Sequence, residues 1–218
     1  QYFEVIENFY RNATTDIHSL TDALSKIDIA PANSNEYILL AENIAKSIKP
    51  KLAPCQLLID ISELVQRDSK SGIQRVVRSI LHEWLNNPPK GLRIEPVYAT
   101  VDQGYRYARR FTLGFLGCPT DALNDEPVEY NSGDIFLGLD LQPEIVPAQK
   151  AFYKQLRNDG VQVQFVVYDL LCVLMPQYFV KDAAEGHKRW LDVVAESDGV
   201  ICISKAVADE VDTWMKAH

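Results

Sequence analysis

Short runs of β-branched and aromatic residues in this chain repeatedly stop at a single polar residue, and few folds accommodate that pattern. Val161 to Tyr168 (VQVQFVVY) ends at Asp169, and Gly199 to Ile203 (GVICI) ends at Ser204, directly before a helical stretch. Both runs read as buried strands. In an open α/β sheet the carboxyl ends of the strands, where side chains and helix N-termini converge, are where ligands bind. Function is therefore expected at these two turns.

The alternation extends upstream. QLLIDIS from Gln56, LRIEPVYA and GDIFLGLD predict three further strands. ELVQRDSKS reads as a polar loop after the first of them. Ile73, Val76, Val77, Ile80, Leu81, Trp84 and Leu85 then recur at the spacing of one helical face. Ser71 with Gln74 gives that helix a capping box, and Asn86-Asn87-Pro88-Pro89 ends it.

Tyr105 to Leu116 reads as a hairpin or an irregular excursion. A helix is predicted from about Glu144 to Asn158, with Pro147 in its first turn and Gly160 beyond its end. Asp182 with Glu185 is placed to cap a helix on which His187, Trp190, Leu191 and Val194 share a face, and Ser204 to cap the last one. Strand and helix in alternation argue for a parallel sheet covered by helices on each side, a Rossmann-like α/β sandwich over residues 55–218. Residues 1–54 lack the β-branched runs and read as a helical extension closed by Pro50 and Pro54.

With 218 residues, 47% of them hydrophobic, the chain can bury one sizeable core. A formal charge of −8 gives a non-specific nucleic-acid role little electrostatic support. Cys55, Cys118, Cys172 and Cys202 are too far apart for a CxxC metal site and are expected as buried, reduced thiols. Asn12-Ala13-Thr14 matches a glycosylation sequon with nothing else pointing to secretion. Asp169 interrupts the longest apolar run, so no segment reaches the roughly 20 residues that cross a bilayer, and a soluble or peripheral protein is expected. Starting at Gln1 and stopping at His218 inside a helical pattern, the chain reads as a fragment of something longer.

There is no GxGxxG, Walker loop, HExxH or GxSxG, which removes most support for a dehydrogenase, a P-loop NTPase, a zincin or an α/β-hydrolase. Ser69-Lys70-Ser71-Gly72-Ile73-Gln74-Arg75 lies where free N–H groups favour an anion, or forms an ordinary loop and cap. Asp169 either meets a ligand at the sheet edge or caps the next turn through local hydrogen bonds. Ser204 either offers its hydroxyl to a phosphate or only caps its helix. Tyr105-Arg106-Tyr107 with Arg109-Arg110 suits a sugar or phosphate clamp as well as a solvated hairpin face. His82 and His187 sit in amphipathic helices, away from strand ends, and read as packing or surface residues.

IDISELVQRDSKSGIQRVVRSILHEWL, VVYDLLCVLMPQYF and RWLDVVAESDGVICISKAVADEV, in that order, resemble the amino-terminal half of retaining GT4-type glycosyltransferases. The likeness is strongest to bacterial mannosyltransferase-like proteins of O-antigen and related surface-polysaccharide synthesis, and covers about residues 56–217. It implies one half of a GT-B fold, in which two Rossmann-like domains face each other across a crevice. The first half holds the acceptor and the second the nucleotide-sugar donor.

On that resemblance Asp169 is the candidate catalytic residue, at the cleft wall with Tyr168. Gly72 and Arg75 lie near the donor phosphates or the acceptor, and Ser204 begins a helix facing the crevice. Tyr168, Cys172 and Met175 depart from a DLxPxxHPEYF pattern that a histidine often precedes, which removes imidazoles that could bond sugar hydroxyls.

The paired glutamates of the donor half are absent from this chain. The implied function is the acceptor-side domain of an enzyme that transfers a hexose such as mannose to a growing glycan. The alternative is a degenerate module for assembly or glycan binding. The implied partners are a glycan or lipid-linked saccharide acceptor, a nucleotide-sugar donor and a missing C-terminal domain, with no metal, cofactor or nucleic acid. The implied location is cytoplasmic, with peripheral contact at the inner face of the membrane where the acceptor is lipid-linked.

Overall fold

Residues 54–67 and 69–218 are described by a computed structural model. The expected extension over residues 1–54 and the Asn12 sequon lie outside them, save for Pro54. Among the described residues six strands form one sheet: β1 (Cys55–Asp60), β2 (Leu92–Tyr98), β3 (Arg106–Tyr107), β4 (Ile135–Gly138), β5 (Gln162–Val167) and β6 (Gly199–Cys202). Their order across the sheet is β3-β2-β1-β4-β5-β6. All neighbours pair in parallel except β3, which runs antiparallel to β2 at the edge. The five strands expected are present, and the fold is the Rossmann-like α/β sandwich that the alternation predicts, consistent with one half of a GT-B enzyme.

The central strands are apolar on both faces because helices cover both. On one face Leu57, Ile59, Leu137 and Val166 meet Val77 and Leu81 of α2 (Gly72–Asn86), which follows the one-turn helix α1 (Ser62–Gln66). Each fully buried aliphatic side chain of this kind contributes about 1.5–3 kcal/mol. On the other face Phe136, Phe165 and Val163 meet α5 (Lys150–Asn158), α7 (Ala183–Ala195) and α8 (Lys205–Ala217) through Tyr153, Trp190, Val207 and Trp214. Gly138 is required here, since a Cβ on it would lie 2.2 Å from the Phe165 ring.

Several expectations change. ELVQ is a helical turn, because Leu64 is buried in the core. Tyr105 to Leu116 divides into β3 and the helix α3 (Arg109–Phe115). The helix expected from Glu144 to Asn158 breaks at Gln149 into α4 (Ile145–Ala148) and α5, and the Gln149 amide donates to the carbonyls of Thr100 and Gln103. Asp182 does stand at the N-cap of α7, but its backbone is left-handed (φ 69°), its side chain makes no cap bond, and Glu185 pairs with Lys188 instead. The thiols are free yet not buried: Cys55 and Cys118 are exposed, and Cys172 and Cys202 half-buried. Val76 faces solvent at the margin of the α2 stripe.

Candidate functional site

The connection leaving β1 leads to β2 on one side, and the chain later returns through β4 on the other. The crevice between the carboxyl ends of β1 and β4 is therefore the switch point of the sheet, where open α/β proteins bind ligands. A cleft of about 410 Å³ lies there, with walls that include Glu63, Arg67, Ser71, Asp140, Gln142 and Glu144. Glu63 and Arg67 belong to the segment after β1, and Asp140 and Gln142 to the segment after β4.

Hydrogen bonds stitch these two segments together. Leu64 N donates to Asp140 Oδ2 (2.8 Å), Gln142 Nε2 to Glu63 Oε2 (2.6 Å), and Asp140 N to the Asp60 carbonyl (3.1 Å). Gln66 Nε2 ties the same loop to the Ala99 carbonyl at the end of β2 (2.9 Å). At the start of α2 the capping box forms, with Gln74 N donating to Ser71 Oγ (3.2 Å). The buried Gln74 amide also donates to the Arg67 carbonyl, and its oxygen accepts from Ser69 Oγ, fixing the loop that rims the cleft.

Two carboxylates are buried at this edge. Asp60 is fully enclosed: Oδ1 accepts from Ser62 N and Oγ (2.9 and 2.5 Å), and Oδ2 from the Tyr105 hydroxyl (2.6 Å), with the Tyr153 hydroxyl 2.7 Å beyond. Ser62 Oγ also accepts from Ala99 N (2.9 Å), joining the ends of β1 and β2. Burial raises the pKa of Asp60, and its hydrogen bonds oppose the rise. Asp140 is pushed up to about 7, first by burial and then by the charges of Asp60 and Glu63, against bonds from Leu64 N and Leu141 N. Asp60 and Asp140 are not among the residues expected from the sequence, although LLID and FLGLD carry the same signal that singles out Asp169.

The residues expected to act all follow parallel strands and stand at the same edge of the sheet, spread along it. Gly72 opens α2 beside the cleft, with nothing within 4 Å of where a Cβ would sit. Arg75, one turn further on, is exposed, and its guanidinium meets no carboxylate among the described residues. Asp169 lies two strands away, roughly 10 Å from β1, and Ser204 one strand beyond that. Asp169 is half-buried and accepts from Leu171 N, at the start of the one-turn helix α6 (Leu171–Leu174), through Oδ1 (3.0 Å), the local turn bond considered from its position. Ser204 Oγ accepts from Val207 N (3.2 Å) and caps α8. Tyr168 turns into the core, where its hydroxyl donates to the Leu139 carbonyl (2.8 Å), so it presents no polar group at the surface of the edge.

Two further groups differ from expectation. His187 is not remote from strand ends: it lies in range of the Asp169 charge, 3% exposed, edge-on to Trp190, with Nε2 unpartnered among the described residues. Burial lowers its pKa and Asp169 partly offsets that, so the imidazole stays neutral at neutral pH. The Tyr105 to Arg110 cluster spends its groups internally. Tyr105 and Tyr107 are buried, Arg109 lies over Tyr107 and near Glu95, and Arg106 and Arg110 bond residues 124 and 125.

Among the described residues no group of histidine, cysteine and carboxylate side chains is arranged to hold a metal ion, and no helix is long and apolar enough to cross a membrane.

No family model matches the chain. Three relatives from Escherichia coli, each described as the serotype-specific mannosyltransferase WbdA, are 35% identical to it over 161 residues. The match covers 73% of this chain and 19–20% of each relative, so the chain is homologous to about a fifth of a bacterial mannosyltransferase.

Proposed function

We propose that this chain is the acceptor-side domain of a retaining GT-B glycosyltransferase that moves mannose from a nucleotide-linked donor to a growing surface glycan. The observation that carries the reading is the 35% identity to mannosyltransferases, in a chain whose sheet has an open switch-point cleft. The lining supports an acceptor there in preference to a donor. Glu63 and Glu144 face one guanidinium, Arg67, so a neutral polyol fits where a diphosphate would be repelled.

The donor phosphates would lie outside the cleft, toward the first turn of α2, with Gly72 leaving room and the exposed Arg75 supplying charge. A second α/β domain of the complete polypeptide would bring the donor in from across the edge. Catalysis would come from positioning the acceptor hydroxyl and stabilising the departing phosphate, with Asp169 and Ser204 on the crevice wall. A lipid-linked acceptor would hold the enzyme at the inner membrane face without a spanning helix.

The test is transfer from nucleotide-linked mannose by the complete polypeptide. Arg75→Ala and Asp169→Ala should each lower turnover by about a hundredfold, with the unfolding free energy lowered by less than about 1 kcal/mol. Wild-type turnover in both variants would remove these residues from the site. Absence of any transfer by the intact protein would leave the assembly or glycan-binding role instead.

A further inference from the structure

The cleft at the ends of β1 and β4 is lined by acids and amides. Its titratable walls are Glu63, Asp140 and Glu144 against Arg67, whose side chain is 78% exposed and stands 3.8 Å from Glu63. Neither lysine nor histidine lines it among the described residues. Ile73, Val101 and Leu141 add an apolar side, as the carbon face of a sugar ring needs. Across the cleft, the Glu63 carboxylate from the β1 loop and the Gln142 amide from the β4 loop stand in direct contact at 2.6 Å.

Resting on the acceptor-side reading above, we propose that Glu63 and Gln142 read the hydroxyl groups of the acceptor's terminal sugar and restrict that sugar to an uncharged one. A carboxylate beside a carboxamide offers acceptor and donor atoms side by side, which suits neighbouring hydroxyls that each donate and accept. Glu63 is held for this task, because the next residue's N–H is fixed on Asp140 Oδ2 and its own Oε2 accepts from Gln142. A uronic acid in the same place would set its carboxylate against Glu63 and Glu144, with only a solvent-screened guanidinium to answer it. Rejection by like charge is how such a site discriminates between sugars of equal size.

The experiment uses the 218-residue chain and two disaccharide probes of equal size, a neutral mannobiose and a mannose disaccharide ending in a uronic acid, with affinities from saturation-transfer NMR titrations. The neutral probe should bind at least about tenfold more tightly. Glu63→Gln, isosteric and able to keep the bond to Gln142, should narrow the gap to about threefold or less, and Gln142→Ala should weaken the neutral probe by about tenfold. Equal binding of the two probes by the wild type, or a gap that Glu63→Gln leaves intact, overturns this inference while the acceptor-side reading stands. A folded wild-type chain that binds neither probe overturns the acceptor-side reading itself.

Discussion

Two stretches of the same sheet edge are built on opposite plans. At the ends of β1 and β4 the acids are buried and bonded: Asp60 takes three donors, Asp140 takes two backbone N–H groups, and side-chain amides lace the loops together. At the ends of β5 and β6 the chain leaves much in the open. Asp169 makes one local bond, Ser204 is exposed, and Leu171, Leu174, Met175, Tyr178, Phe179 and Val180 together show a large apolar surface. The first stretch is held in place by its own hydrogen bonds, whereas the second offers groups the fold itself hardly uses. In a binding edge the former suits shape and charge selection, and the latter suits groups committed only when a partner arrives.

The largest effect that contrast predicts lies at Asp60. Asp60→Ala removes the acceptor of three buried donors, each costing about 1–3 kcal/mol when orphaned, so a total loss of about 3 kcal/mol or more is expected in urea unfolding. Asp169→Ala should cost less than about 1 kcal/mol, because one half-exposed turn bond is lost. Similar costs at the two positions would erase the distinction between the stretches.

Next in size is a dependence on pH confined to the cleft. The unfolded chain releases the Asp140 proton at a pKa of about 3.9. The folded protein holds it up to about 7. Between those values the native state binds more protons, so stability falls as pH rises, by up to about 1.4 kcal/mol per unit. Unfolding free energies at pH 5 and pH 8 should therefore differ by about 2.5 kcal/mol for the wild type, lower at pH 8. Asp140→Asn should flatten most of it and keep a residue of slope from Asp60, whose pKa is raised in the same direction. A wild-type profile flat across this window would mean that the Asp140 carboxylate is solvated, and the cleft no more pre-formed than the β5–β6 stretch.

The two stretches were also unequally legible in the sequence. The strands could be read from their β-branched runs, and the Ser71 and Ser204 caps from residue type and spacing, since these are local properties. Asp169 stands out in the sequence because an aspartate follows an apolar run, yet Asp60 and Asp140 follow apolar runs as well. What sets them apart is their surroundings: Tyr105 reaches Asp60 from 45 residues away and Leu64 reaches Asp140 from 76, contacts that no local pattern encodes. Gln149 likewise breaks a helix by bonding carbonyls 46 and 49 residues back. The helical periodicity puts His187 on the buried face with Trp190 and Leu191, and only the fold brings that face within range of the Asp169 charge.

The smallest effect separates two caps that look alike. Ser71→Ala and Ser204→Ala each delete an N-cap oxygen, which costs about 1 kcal/mol. At Ser204 the account ends there, since the hydroxyl accepts from Val207 N and has no other partner among the described residues. At Ser71 the cap also holds Gln74, whose amide clamps Arg67 and Ser69 at the cleft rim, so Ser71→Ala should loosen that loop as well. Hydrogen exchange should then quicken at residues 67–71 in Ser71→Ala, while Ser204→Ala affects only the first turn of α8. If Ser204→Ala instead speeds exchange around Asp169, the β5 and β6 loops are coupled and the open stretch has a stitching of its own.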